Sequence, residues 1–382
     1  MIPENKIIYF DNAATTKVDD EVVSTFLKSI KEYYANPSSI HVEGAKAARA
    51  LYLAREKILK LLKLSNHELI FTSGATESNN LAIKGACLKY ANRGKHIIVS
   101  KIEHPSVLEV AEQLKNEFGF EVSYAKSNEK GIVTLDEIKS LMRKDTILVS
   151  VMSVNNETGV INPIEDIAKF LKDYPKTLFH VDACQSIGKV DLNYNDVDLL
   201  TFTGHKIHGL KSIGALVKKK GLDLLPLNSG GGQENNLRSG TNDLALSLSL
   251  AKALDISLKE MKSANEQISE IKAKIEEYLK ENPLLYRLNS NENSIPHILN
   301  FSLLTKKAAV VVESLSNNAI MVSSTSACHA HKEPDSYVVY DMTHDEKLSH
   351  NTIRLSFDKN NTIEEAEIFI KTLDKIIKEV KQ

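Results

Sequence analysis

The sequence predicts an α/β protein: a mostly parallel sheet covered on both faces by helices, with a smaller α+β domain after it. Two observations carry this. Up to about Leu244, short apolar runs rich in Ile, Val and Phe alternate with amphipathic helical stretches, the spacing of a parallel sheet buried on both sides. Beyond Leu244 the alternation stops and one long helical pattern begins. Strands are expected at 68–72, 96–100, 121–125, 146–154, 177–182, 199–203 and 214–218. Helical periodicity falls between them at 77–88, 106–117, 135–142 and 164–172. The long helix is expected over 244–281, ending at Asn282-Pro283 because proline cannot continue the hydrogen-bond ladder. A strand at 297–304, a helix at 307–316, a strand at 320–324, a loop, a strand at 352–357 and a helix at 362–380 complete the pattern. The large domain is expected to span 19–255, with 1–18 and 256–382 forming the small one.

Composition narrows the class of molecule. With 382 residues and 42% apolar side chains, the chain can build more than one hydrophobic core. Its 48 basic and 50 acidic side chains leave a net charge of -2, which argues against direct nucleic-acid binding. No apolar run is long enough to span a bilayer, and the opening MIPENKIIYF lacks the basic-then-apolar form of a secretory signal. The cysteines, Cys87, Cys184 and Cys328, are odd in number and far apart, which fits free thiols in a reducing compartment. A cytoplasmic protein without membrane contact is expected.

In open α/β sheets the loops leaving the carboxyl ends of strands carry the chemistry. Lys206 stands at such an end, in Thr203-Gly204-His205-Lys206. A partly desolvated lysine there keeps enough neutral amine to condense with a carbonyl or take a proton, while Thr203 and His205 offer hydrogen bonds to a phosphate. A surface lysine after a strand is the plainer alternative. Asp182 ends the apolar run before Ala183-Cys184-Gln185, where a carboxylate needs a partner. A protonated pyridine nitrogen would serve, and so would a structural salt bridge; Gln185 suits the same ring's oxygen. The run Ser73-Gly74-Ala75-Thr76-Glu77 joins a strand to a helix, where free amides and small residues make an anion site or a capping box.

Other loops add to the list. Glu103-His104-Pro105 puts an imidazole at a strand-to-helix corner, able to stack on a ring and relay protons, and Asn155-Asn156-Glu157 offers an amide to the same crevice. Polar turns are the alternative for both. Gly230-Gly231-Gly232 with Arg238-Ser239-Gly240-Thr241 suits either backbone approach to an anion or a flexible linker. Cys328 lies among Ser326, Ala327 and His329, a polar setting that reads as an exposed, reactive thiol. Cys328-His329-Ala330-His331 lacks a second ligand cluster, so no metal is expected. Arg354, inside a strand, suits a two-pronged grip on a carboxylate, or a structural ion pair.

In combination and in this order, the motifs resemble the cysteine desulfurases of the class V aminotransferase family over nearly the whole chain. Tyr9-Phe10-Asp11-Asn12-Ala13-Ala14, Asn36-Pro37-Ser38-Ser39-Ile40-His41, Gly74-Ala75-Thr76-Glu77-Ser78-Asn79, Glu103-His104, Asn155-Asn156-Glu157, Asp182-Ala183-Cys184-Gln185, His205-Lys206, Arg238-Ser239-Gly240-Thr241 and Ser326-Ala327-Cys328 carry the resemblance. The Ser-Ala-Cys context is similar to the group that serves iron–sulfur cluster assembly and tRNA thiolation.

The resemblance implies the aspartate-aminotransferase-like fold type I of pyridoxal 5'-phosphate enzymes and a homodimer converting L-cysteine to L-alanine. Lys206 would carry the cofactor covalently and take the substrate Cα proton. Asp182 would pair with the ring nitrogen, Gln185 and Asn155 would meet the ring oxygen, and His104 would stack on the ring and act in catalysis. Ala75, Thr76, Thr203, Gly204 and His205 would hold the phosphate, with Thr241 reaching it from the other subunit. Arg354, with Asn155, would bind the substrate, and Cys328 would receive the sulfur as a persulfide for an acceptor protein. A selenocysteine lyase, a transaminating relative and a non-catalytic sulfur-transfer scaffold are the alternatives. The chain departs from the family pattern at Thr325 and Ser212, where glycine is usual, at Leu210 for proline, at Asn235 for arginine and at Thr203 for serine.

Overall fold

The computed structural model describes residues 7–324 and 336–379. Its first half contains β1 (Ile8–Tyr9), α1 (Asp20–Glu32), α2 (Val42–Leu61), β2 (His67–Thr72), α3 (Ala75–Lys89), β3 (His96–Ser100), α4 (Pro105–Phe118), β4 (Glu121–Ala125), α5 (Leu135–Leu141), β5 (Thr146–Ser150), α6 (Ile164–Leu171), β6 (Leu178–Asp182), β7 (Leu199–Thr203) and β8 (Gly214–Lys219). Then follow α7 (Leu244–Glu281), β9 (Tyr286–Leu288), β10 (Ile298–Leu303), α8 (Ala308–Asn317), β11 (Ile320–Met321), β12 (Ser323–Ser324), α9 (Tyr337–Thr343), α10 (Glu346–His350), β13 (Thr352–Ser356) and α11 (Ile363–Glu379).

Seven strands form one sheet in the order β2-β8-β7-β6-β5-β3-β4. Every pairing is parallel except those of β8, which runs against both its neighbours. β3, β5, β6 and β7 are buried along their whole length, as continuous apolar runs between two helical layers must be. One layer packs Ala47, Ala54 and Ile58 of α2 and Leu250 and Leu254 of α7 on the sheet; the other packs Leu81 and Ile83 of α3 and Val107 and Leu114 of α4. The parallel-sheet class predicted by the alternation is the class observed.

A second, antiparallel sheet has the order β12-β13-β10-β9. Its core joins Phe301, Leu355 and Phe369 to Ile268, Ile271 and Ile275 of α7, so that α7 serves both cores. Phe10 is buried there, edge-on to Phe357 at 5.0 Å and Phe369 at 6.0 Å. Asp243 caps α7, accepting from the Leu246 amide at 2.9 Å.

Three expectations change. Helices α1 and α2 did not stand out in the sequence. The apolar run expected as a strand to residue 154 leaves the sheet after Ser150, although the Val151 and Ser153 amides still bind the carbonyls of His180 and Asp182. The strand expected at 320–324 splits into β11, paired with β1, and β12, paired with β13.

Candidate active site

Because β2, β3, β5, β6 and β7 point the same way, their carboxyl ends meet at one edge of the sheet. The loops leaving those ends line a cavity of about 740 Å³, within the range of small-molecule sites. Arg354 of β13 and the N-terminal segment Asp11, Ala13 and Ala14 close it from the other side.

Lys206 ends the 3-10 turn Gly204–Lys206 that follows β7. The Gly204 amide binds Ile213 O at 3.0 Å and tightens the reversal into β8. The Lys206 amine donates to the carbonyls of Ala13 at 2.5 Å and Ala14 at 2.7 Å. No carboxylate among the described residues forms an ion pair with it. Burial, and next the Arg354 charge, bring its pKa down from the ordinary 10.5 to about 8. Such an amine is neutral often enough near pH 7 to act as nucleophile or base.

Asp182 ends β6 buried, at 4% exposure. Asn79 of α3 donates to it at 2.8 Å and the Cys184 amide at 3.0 Å, and no cation among the described residues forms an ion pair with it. The same Asn79 amide donates to Ser106 Oγ at 2.9 Å, and Ser106 Oγ lies 2.9 Å from His104 Nδ1. The Ser106 amide donates to that nitrogen at 3.1 Å, which leaves the ring proton of neutral His104 on Nε2. One buried bridge, Asn79 and Ser106, therefore sets the spacing of the carboxylate and the imidazole. Asn79 was not foreseen; its signal was a polar side chain on the helix face shared by Ala82 and Ile83 at i+3 and i+4.

At the start of α3, Gly74 is the cap and makes no side-chain cap bond; its φ of 152° with ψ of 179° is glycine territory. No capping box forms there. Glu77 instead accepts the Ser73 amide at 2.6 Å and pairs with Arg238 at 2.8 Å. The first-turn amides have no carbonyl within the helix, and with Ala75, Thr76 and His205 on the cavity wall they form an anion cradle. His205 is kept neutral, its pKa pushed down to about 4 by burial and then by the Lys206 charge. Thr203 also faces the cavity, but its hydroxyl donates to Ile213 O at 3.1 Å.

Arg354 is fixed by Asp11 at 3.0 Å and by the Asn156 carbonyl at 3.0 Å, while its Nε is buried without a partner. Gln185 faces the cavity with its Nε2 3.0 Å from Ala13 O and its Oε1 2.6 Å from the Lys189 amine.

Three predicted residues do not face the cavity. Asn155 is fully buried, its oxygen taken by the Glu157 and Thr158 amides and its nitrogen donating to Ile102 O; Asn156 stands on the wall instead, with a buried, unpartnered Oδ1. Gly204 is committed to the Ile213 bond, and Thr241 is exposed outside the cavity of its own chain. Cys328 and Thr325 lie outside the described residues. Asp11, Cys184, Lys211, Ser212 and Tyr337 line the cavity without having been foreseen as part of it.

The class V aminotransferase family model matches residues 8–369. The chain belongs to that family. It is 40% identical over 374 residues to a NifS/IcsS protein homolog of Lactobacillus delbrueckii subsp. bulgaricus, covering 97% of each chain. It is 38% identical over 377 residues to the cysteine desulfurase IscS of Dictyoglomus turgidum, covering 98% of this chain and 95% of that one. A solved NifS-like protein superposes with a TM-score of 0.91 at 35% identity, covering 98% of this chain and all (100%) of the other. The resemblance to cysteine desulfurases holds over nearly the full length, and the fold is that of their fold type I relatives.

Two features of the cavity fit pyridoxal phosphate. Asp182 is a buried carboxylate that lacks a cation among the described residues, as a protonated ring nitrogen requires. The Gly74 cradle leaves room at a helix N-terminus for a phosphate: a Cβ on Gly74 would come no nearer than 4.0 Å to Thr203 Oγ1.

Proposed function

We propose that this protein is a pyridoxal-phosphate-dependent cysteine desulfurase that transfers the sulfur of L-cysteine to Cys328 and releases L-alanine. The observation that carries the reading is the meeting, in one cavity, of an amine (Lys206) and a carboxylate (Asp182), neither of which has an ion-pair partner among the described residues. When bound, the cofactor supplies an electron sink for negative charge at the substrate Cα. Lys206 would hold it, Asp182 would keep its ring nitrogen protonated, and Gln185 would meet the ring oxygen. His104, on the cavity wall, would cover one face of the ring. The Gly74–Thr76 amides and His205 would hold the phosphate.

Arg354 would grip the substrate carboxylate, and the Lys206 amine would remove and return the Cα proton. The Cys328 thiolate attacks the substrate sulfur, the C–S bond breaks, and the carbon takes a proton; L-cysteine and one thiol become L-alanine and one persulfide. Neither described cysteine suits that role. Burial raises the Cys87 thiol, and burial with Asp182 beside it raises that of Cys184, so both stay protonated.

The same reading makes the protein a homodimer in which Thr241 completes the phosphate site of the partner. Its support is the exposed apolar group Val23, Leu27, Ile30, Tyr34, Ile40 and Val42 on and between α1 and α2, a surface that a second copy would cover. The persulfide would pass to an acceptor protein for iron–sulfur cluster assembly or tRNA thiolation. Among the described residues, no helix is long and apolar enough to cross a membrane.

Alanine release from L-cysteine, followed with bound cofactor, tests the reading. Cys328→Ala is expected to keep the cofactor and lose at least about 10³-fold in turnover; undiminished turnover in that variant would remove the persulfide route. Lys206→Ala is expected to lose the covalently held cofactor altogether.

A further inference from the structure

Lys189 is a buried lysine, 7% exposed, with no carboxylate among the described residues in salt-bridge contact. Burial, and then the Lys206 charge, bring its pKa down to about 7. A lysine this costly to bury, with no counter-ion to compensate, does little for stability. Its amine makes one short contact, 2.6 Å to Gln185 Oε1. The other end of that amide, Nε2, donates at 3.0 Å to Ala13 O, the carbonyl that also accepts from Lys206 at 2.5 Å. A continuous chain thus runs from Lys189 through Gln185 and Ala13 to Lys206.

The two neighbours dictate how Gln185 is held. Ala13 O can only accept, so it requires nitrogen on its side; Oε1, facing away, has Lys189 as its one donor among the described residues. Without Lys189 the oxygen would be buried unsatisfied, and the amide would turn to find a donor. Gln185 lines the cavity, so its second Nε2 proton is what it can offer a ligand there. We propose that Lys189 is a positioning residue: by satisfying Gln185 Oε1 from behind, it makes Gln185 present an N–H, not a carbonyl, to the cofactor's ring oxygen. The inference rests on the proposed cofactor and extends that reading to a residue two shells from the ligand.

Equilibrium dialysis of cofactor-stripped protein against pyridoxal phosphate and against its 3-deoxy analogue, which lacks the ring oxygen, tests this without any turnover. Lys189→Met is expected to weaken pyridoxal phosphate about tenfold, the size of one well-placed hydrogen bond, and the analogue less than about twofold. Lys189→Gln, which keeps an N–H for Oε1, should recover most of the loss. Gln185→Leu should match Lys189→Met, and the double variant should be no weaker than Gln185→Leu alone. Equal weakening of both compounds marks a merely structural lysine and overturns the proposal, as does additivity in the double variant. Should Lys189→Met not fold, Lys189→Gln still decides: it must keep the wild-type preference for the compound with the ring oxygen, and loss of that preference overturns the proposal. Wild-type protein that binds neither compound would instead remove the cofactor reading itself.

Discussion

On the wall built by the large sheet, Asp182 is surrounded by neutral donors: the Asn79 amide at 2.8 Å and the Cys184 backbone at 3.0 Å. On the opposite wall, built by the small sheet, Arg354 sits 3.0 Å from the carboxylate of Asp11. Both charges are buried, yet among the described residues only one has a counter-ion. A buried carboxylate held by neutral groups keeps its desolvation cost until a cation arrives, so that wall is set for a permanent, positively charged guest. An arginine already paired can exchange one carboxylate for another at small net cost, as a substrate that enters and leaves each cycle requires. The two walls are thus matched to a resident cofactor and a passing amino acid.

Neutralising the unpaired side should produce the largest effect, with opposite signs in the two forms of the protein. Asp182→Asn removes the charge and keeps an acceptor for the Cys184 amide; its new Nδ2 faces Asn79, whose own unpartnered Oδ1 can turn to accept. Turnover of the loaded enzyme is expected to fall about 10²–10³-fold, since the ring loses the carboxylate that keeps it protonated. The cofactor-free protein should gain about 1–2 kcal/mol, because an uncompensated buried charge is gone. Steady-state kinetics and thermal melts of the stripped protein check the two halves; a stripped variant less stable than wild type would show that Asp182 is compensated by the chain after all.

The paired side should respond more mildly and through binding. Arg354→Gln is expected to raise KM for L-cysteine about 10–100-fold with a smaller change in kcat, the loss of one charge-assisted grip. It also tests the electrostatic link across the cavity. Arg354 is the leading charge that lowers Lys206. In wild-type stripped protein, amine-selective labelling of Lys206 should rise with pH through about 8, because only the neutral amine reacts. In Arg354→Gln the ammonium form is less opposed, so the midpoint moves up. An unmoved midpoint would leave burial as the sole cause.

This division also explains what could be read from the chain alone. Lys206, Asp182 and His104 were legible because each follows an apolar run that ends where a parallel strand must, and strand ends of one sheet share an edge. Asn156 was not distinguishable from Asn155, because the chain leaves the sheet at Ser150 and alternation no longer says which neighbour faces inward. Lys189 and Asn79 were missed for a different reason. Each looks like a surface residue by type, and only a polar partner, Gln185 four residues before the one and Asp182 on a distant strand for the other, makes its burial tolerable. In the small sheet β10 and β13 were legible as strands and the short edge strand β9 was not, while the split of 320–324 between two sheets depends on β1, hundreds of residues away in sequence.

The smallest effect concerns the turn that carries Lys206 back into the sheet. The family glycine replaced by Ser212 has a visible reason: Ser212 keeps a left-handed backbone, φ 60°, next to His208 at 59° in the same turn. That turn returns the chain so that Gly214 packs on Gly74, where a Cβ would fall 2.7 Å from the Gly74 backbone. A serine held left-handed costs about 1 kcal/mol, part of which glycine returns as unfolded-state entropy. Ser212→Gly should therefore stabilise the stripped protein by about 0.5 kcal/mol, a melting shift of roughly 1–2 °C. Ser212→Val, β-branched and ill-suited to positive φ, should lower it by more and, by displacing Gly214 from Gly74, loosen the phosphate cradle as well. The pair of melts separates backbone strain from side-chain contact. If glycine and valine both destabilise, the serine hydroxyl is making an interaction that its backbone angle does not reveal, and the turn is held by the side chain, not merely tolerated in spite of it.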